Sequence, residues 1–163
     1  MSTPSILFVC LGNICRSPMA EGAMRDAARR AGVQIRTDSA GTGSWHIGAP
    51  PDRRAQSTAA KHGTDISDLR GRQIDAQDFY DFDHIIAMDA ENMADLRSIA
   101  PRNATARLSL ILDHVPGQEG RSVADPYHGG LAEFAAAWQQ VAAGAAGLLG
   151  KLGEPKHKSS DEP

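Results

Sequence analysis

A single α/β domain on a mostly parallel sheet is the fold class the sequence predicts, and three observations carry it. Short apolar runs alternate with longer Ala-rich, charged segments of helical composition. Gly and Pro fall between these segments, where connections belong. The length of 163 residues fits one domain, with no internal repeat and no dividing linker.

Taken in order, residues 5–10 ("SILFVC") are apolar enough for a strand buried on both faces. Residues 18–31 are rich in Ala, Met, Arg and Glu; Pro18 suits a first helical turn and Gly32 ends the helix. Residues 34–40 read as a second strand, followed by the Gly/Pro loop "GTGSWHIGAPPD" and a helix at 53–62 stopped by Gly63. A third strand is expected at 83–88 and a helix at 92–99, halted near Pro101. A fourth strand at 108–112 leads into a long loop at 115–128, and 131–152 form the closing helix. Right-handed crossovers gather the C-terminal strand ends on one edge, where such sheets bind ligands. The domain is expected at 1–153, and the polar tail 154–163 ("EPKHKSSDEP") is expected to be disordered.

Composition narrows the function classes. Lys and Arg number 17 against 20 Asp and Glu, for a net charge of -3, with no basic block; a nucleic-acid partner is not expected. The apolar run at 6–11 is too short to span a membrane and lacks a basic flank, so the expected location is cytoplasmic, off the membrane. Cys10 and Cys15 are the only cysteines, too few for a disulfide framework. The six histidines, at 46, 62, 84, 114, 128 and 157, include no helical i, i+4 pair, so neither metal nor cofactor is expected.

Cys10 ends the first strand six residues before Arg16. Alone, such a cysteine reads as a small buried hydrophobe. Its neighbours suggest more. Gly12 and Asn13 tolerate unusual backbone angles, so the loop can curl its N–H groups inward into an anion nest. The helix that follows adds its positive dipole end, and Arg16 offers a planar fork for two oxygens of a phosphate-like group. An electropositive nest of this kind favours the thiolate form of a thiol facing it. Nucleophile and dianion receptor then share one loop. The spacing Cys10-x5-Arg16-Ser17 is the signature of cysteine-dependent phosphatases.

The longer string "VCLGNICRSPMAE" resembles the low-molecular-weight protein tyrosine phosphatases. The resemblance continues through "DSAGT", "GAPPDRRA", "FDHIIAMD" and "ADPY", leaving only the tail outside. It implies a four-stranded parallel sheet flanked by helices on both faces, with a phosphate-binding loop between strand 1 and helix 1. Within that loop it implies Cys10 as nucleophile and Arg16 as oxyanion clamp, with Leu11, Gly12, Asn13, Ile14, Cys15 and Ser17 around the phosphate. Ser17 is also the expected hydrogen-bond donor to the Cys10 sulfur. Asp125, in an Asp-Pro-Tyr triplet, reads from local sequence equally as a turn residue or a general acid. The resemblance assigns it the acid role. Trp45 and Tyr127 suit ordinary packing on composition alone; the resemblance places them as walls of a slot for phosphotyrosine. His46, beside Trp45, is a candidate for tuning preference for the substrate's neighbouring side chains. Asn13 and Ser39 match positions that brace the loop. Leu69 stands where many relatives carry His, so a smaller bracing network is expected. Asp89 is read first as the N-cap of the following helix, and otherwise as a support for the loop. Cys15 packs beneath the loop or, as the resemblance implies, closes a reversible disulfide with Cys10.

The expected activity is therefore metal-independent hydrolysis of phosphotyrosine through a phosphocysteine, with Asp125 as acid and then base, and Asp113 or Asp89 as the alternative acids. The expected partners are phosphotyrosine proteins, a tyrosine kinase of the same cell or a host protein among them, with phosphate as product and the protein a monomer or weak dimer. Arsenate reduction on the same scaffold would need cysteines beyond Cys15. A phosphoarginine phosphatase would carry Thr where Ile14 stands. A non-catalytic phosphate-binding or redox-sensing module would have no use for Asp125.

Overall fold

In the computed structural model, which describes residues 3–152, four strands form one parallel sheet. These are β1 (Ser5–Cys10), β2 (Arg36–Gly41), β3 (His84–Ala87) and β4 (Arg107–Leu110), in the order β2-β1-β3-β4. Central β1 is buried along its whole length. Its alternation divides the core: Ile6, Phe8 and Cys10 face one side, while Leu7 and Val9 face the other.

On the first face, α1 (Arg16–Ala31), α2 (Arg53–Lys61) and α5 (Leu131–Leu152) contribute residues such as Met19, Ala55 and Phe134. On the second, α3 (Asp78–Asp81) and α4 (Ala90–Ile99) contribute Phe79, Met93 and Leu96. The chain passes from β1 outward to β2, then crosses to the opposite side for β3. The strand order thus reverses between β1 and β3, and the loop 11–15 opens at that switch point.

Most elements agree with the sequence reading to within two residues, and the departures have causes. Helix α1 begins at Arg16 rather than 18, because Asn13 turns the loop early with a left-handed φ of 59°. Pro18 still falls in the first turn, where its missing N–H breaks no helical bond. The fourth strand stops at Leu110, and Ile111–His114 form a 3-10 turn. Asp113 caps that turn, accepting from the N–H groups of Leu110 (2.9 Å) and Gly120 (2.8 Å). Helix α3, absent from the sequence reading, is a single turn closed by two aspartates: Asp75 N–H donates to Asp78 (2.9 Å) and Asp78 N–H to Asp75 (3.2 Å). The expected disordered tail lies outside the described residues. Among those described, no helix is long and apolar enough to cross a membrane.

Helix α5 lies close against the 3-10 turn from which the long loop departs. A Cβ at Gly144 would sit 2.7 Å from the carbonyl oxygen of Ile111, and one at Gly147 would collide with that of His114. At Gly150 a Cβ meets nothing within 4 Å. Gly150→Ala should therefore stabilise the fold by up to about 1 kcal/mol through helix propensity. Gly147→Ala should destabilise it by about 1–3 kcal/mol, since overpacking outweighs the same propensity gain. Paired urea denaturation curves check both signs; a stabilised Gly147→Ala would contradict the close packing.

Candidate active site

At the C-terminal edge of the sheet lies a cavity of about 290 Å³ lined from three segments. The loop after β1 supplies Cys10, Leu11, Gly12, Ile14, Cys15 and Arg16. The loop after β2 supplies Trp45 and His46, and the long loop before α5 supplies Asp125, Tyr127 and His128. Asn13, Ser17 and Ser39 stand outside the lining and are buried behind it.

The Cys10 sulfur lies 3.0 Å from Ser17 Oγ and accepts the N–H of Asn13 at 3.3 Å. The Asn13 amide fixes the direction of the Ser17 bond. Its Oδ1 accepts from Arg72 N–H at 2.9 Å, so Nδ2 is the donor to Ser17 Oγ (2.8 Å) and Ser39 Oγ (3.1 Å). With Ser17 Oγ already accepting, its own hydrogen is free to point at the sulfur. The Leu69 side chain adds no hydrogen bond to this network. Leu69 packs against the core, and the Arg72 backbone completes the hydrogen bonding of Asn13. Among the described residues, the N–H groups of Gly12, Ile14 and Cys15 find no protein acceptor, leaving donors for an anion beside Cys10.

Arg16 is 2% exposed. Its Nη1 donates to Asp89 Oδ2 and to the Val123 carbonyl, each at 2.7 Å, and its Nη2 lies 3.7 Å from Asp125 Oδ2. Burial works against its charge, but Cys10, Asp89 and Asp125 outweigh burial and raise its pKa above the ordinary arginine value. Asp89 serves in both capacities considered: Oδ1 caps α4 through Asn92 N–H (2.7 Å) while Oδ2 anchors Arg16. Val123 in turn donates its N–H to Met88 at the end of β3 (2.9 Å), fastening the long loop two residues before Asp125.

Asp125 accepts the N–H of Tyr127 at 3.1 Å across Pro126, and its side chain is 45% exposed. The alternative acid Asp113 belongs to the 3-10 turn and does not line the cavity. Trp45 is 70% exposed, unlike core Trp138 at 6%. Gly43 permits this placement, because a Cβ there would collide with the Trp45 ring.

Arg54 and His128 escaped the sequence reading. Arg54 forms a two-point pair with Asp52 (Nε–Oδ1 and Nη2–Oδ2 both 3.0 Å), donates to the carbonyls of Tyr127 and Gly129, and lies 5.6 Å from the Tyr127 ring centroid. Its hydrogen bonds hold the Asp52 carboxyl below the usual range. The backbone N–H of Asp52 donates to Ile14 O at 2.8 Å, so one ion pair joins the Cys10 loop to the Asp125 loop. The Asp-x-Arg spacing in "PPDRRA" was the available signal. Cys10 and Cys15 are both free and buried. Burial pushes the Cys15 thiol well up, helped by Asp52, Cys10 and Asp125, and holds it protonated.

Comparison with known proteins agrees with this geometry: a model of the low molecular weight phosphotyrosine protein phosphatases matches residues 5–158. The chain belongs to that family. It is 44% identical over 154 residues to the low molecular weight protein-tyrosine-phosphatase YfkJ of Bacillus subtilis, covering 93% of this chain and 97% of that one. It is 41% identical over 143 residues to the human low molecular weight phosphotyrosine protein phosphatase, covering 85% and 89%. The crystal structure of a Drosophila arginine phosphatase superposes with a TM-score of 0.87 at 35% identity, covering 93% of this chain and 99% of that one. Family membership thus accounts for the scaffold while leaving the phosphorylated group to the site.

Glu21 of α1 is 4% exposed, and among the described residues its buried Oε1 has no hydrogen-bond partner. Burial raises its pKa; Asp38 and Asp68 add to this, while the nearby Ser39 hydroxyl and the charge of Arg25 oppose it. Between the ordinary glutamate value of 4.5 and the raised folded value, the native state holds more protons than the unfolded chain. Stability contributed there is present at low pH and is lost as pH rises through the folded value. Glu21→Gln, which mimics the neutral acid, should raise Tm at neutral pH, with a gain that grows as pH rises above 4.5 and then levels off. Scanning calorimetry from pH 5 to 9 checks the trend. A pH-independent loss of Tm would show that Glu21 is charged and needed.

Proposed function

We propose that this protein is a phosphotyrosine phosphatase that works without metal through a phosphocysteine at Cys10. The observation that carries the proposal is the convergence at one cavity of Cys10, Arg16 and Asp125, the Cys10 loop also leaving N–H groups without protein acceptors. In the first step the Cys10 sulfur attacks phosphorus and the aryl P–O bond breaks. Asp125, as the acid, gives its proton to the departing oxygen. Arg16 and the loop N–H groups hold the three equatorial oxygens as charge spreads over them. In the second step Asp125, now a carboxylate, takes a proton from water. The water oxygen bonds to phosphorus, the S–P bond breaks, and phosphate leaves.

Trp45 and Tyr127 are the walls that would grip a phenyl ring, Tyr127 being backed by Arg54. Ile14, 9% exposed and lining the cavity, offers no hydroxyl to a guanidinium leaving group, which favours phosphotyrosine over phosphoarginine. The physiological partners on this reading are phosphotyrosine proteins in the cytoplasm.

The leaving group tests the acid. Phenols as basic as tyrosine, with pKa about 10, leave poorly as anions, whereas acidic phenols leave unaided. Asp125→Asn should slow phosphotyrosine by about 10²–10⁴-fold and activated aryl esters less. Burst kinetics on a series of aryl phosphates measures the slope of log rate against leaving-group pKa, which should steepen in Asp125→Asn. An unchanged slope would move the acid elsewhere, and faster turnover of phosphoarginine than phosphotyrosine peptides would replace the substrate class.

The same loop supports redox protection. Peroxide would convert the Cys10 thiolate to a sulfenic acid, and attack by the Cys15 sulfur would form the disulfide with loss of water. Peptide mass spectrometry after mild peroxide should find the Cys10–Cys15 bridge, reversed by thiol reductant. Sulfinic acid at Cys10 beside a free Cys15 would rule it out.

A further inference from the structure

The Trp45 ring separates two cavities. Beyond the one holding Cys10 lies an open groove of about 330 Å³, with Leu11 and Trp45 common to both. Its remaining lining comes from Thr42 and Gly43 after β2 and from Asp95, Ser98 and Ile99 on α4. The apolar surface is large and solvent-facing: Leu11 is 40% exposed, Ile99 47% and Trp45 70%. The groove is also framed by the catalytic loop, since Thr42 and Gly43 donate their N–H groups to Cys10 O and Leu11 O, each at 2.9 Å.

One charge stands in this apolar setting. Asp95 is partly buried, and among the described residues its carboxylate pairs with no cation and accepts no hydrogen bond; Ser98 Oγ binds only its backbone carbonyl. An aliphatic stem ending in a cation matches that arrangement: the stem covers Leu11 and Ile99, the Trp45 face attracts the cation, and Asp95 neutralises it. An extended peptide advances about 3.3 Å per residue, so a residue within three positions of the one in the catalytic cavity reaches across the Trp45 wall.

We propose that this groove is a specificity subsite for a lysine or arginine side chain flanking the phosphotyrosine of a protein substrate. The proposal rests on the phosphotyrosine reading above and adds to it a sequence preference. The test uses phosphotyrosine peptides carrying Lys, Arg, Ala, Leu or Glu at each position from three before to three after the phosphorylated residue. Each kcat/KM is divided by that for free phosphotyrosine. At one position, Lys and Arg should exceed Ala and Glu by about three- to tenfold, the size expected of one exposed ion pair with a cation–π contact. Asp95→Asn should remove that preference and Asp95→Lys should turn it towards Glu, as changes in the normalised ratio. Equal ratios for all residues, or a preference for Leu that survives Asp95→Lys, would overturn the subsite. Failure to hydrolyse free phosphotyrosine at all would remove the underlying reading, and the subsite with it, and is distinguishable because no ratio can then be formed.

Discussion

A guanidinium buried to 2% exposure needs its charge compensated, and Arg16 meets that demand by drawing three segments together through Nη1 and a carboxylate facing Nη2. One nitrogen binds Asp89 at the end of β3 and the Val123 carbonyl in the long loop, while the other faces Asp125. Arg16 itself opens α1. Its charge therefore organises the start of a helix, the end of a strand and the approach of the Asp125 loop, so the cavity depends on satisfying one ion. The same pairing leaves the guanidinium fixed rather than free, as a receptor for developing charge requires.

A second constraint operates within the Cys10 loop. Asn13 takes up a left-handed turn that few residues tolerate, and spends every polar atom of its amide on Arg72, Ser17 and Ser39. Those bonds orient the Ser17 hydroxyl towards sulfur. Arg72 is held in turn by Asp38 and Asp78, which links the loop to β2 and to the one-turn helix α3. The Asp52–Arg54 pair ties the loop to the Tyr127 wall from the other side. Cys10 and Asp125 thus occupy separate segments, Asp125 sharing its loop with Tyr127, and ion pairs tie those segments together.

Much of the fold was legible because its signals are local. An apolar run ended by cysteine marked β1, a long Ala-rich segment marked α5, and Gly32 and Gly63 marked where helices stop. The features that escaped are set by distant partners. Helix α3 is closed by a reciprocal aspartate pair and by Arg72, and at four residues, with Phe79 its one core side chain, it is too short for a helical period to announce it. Arg54 looked like one more surface arginine until the chain brought Tyr127, more than seventy residues away, over it. The donor to Asn13 Oδ1 was likewise out of reach, because it is the backbone N–H of Arg72, which no side-chain identity reports. Cys10, Arg16 and Asp125 were readable together through the resemblance, since local sequence alone leaves Asp125 equally a turn residue or an acid.

The central claim is that one loop holds two separable functions, a dianion receptor built on Arg16 and backbone N–H groups, and a nucleophile that is Cys10 alone. Titrating inorganic phosphate into Cys10→Ala by calorimetry tests it most directly, with aryl phosphate turnover followed on the same sample. The account predicts saturable phosphate binding comparable to the unmodified protein and no turnover. Loss of phosphate binding, or measurable turnover in rigorously pure Cys10→Ala, would contradict it.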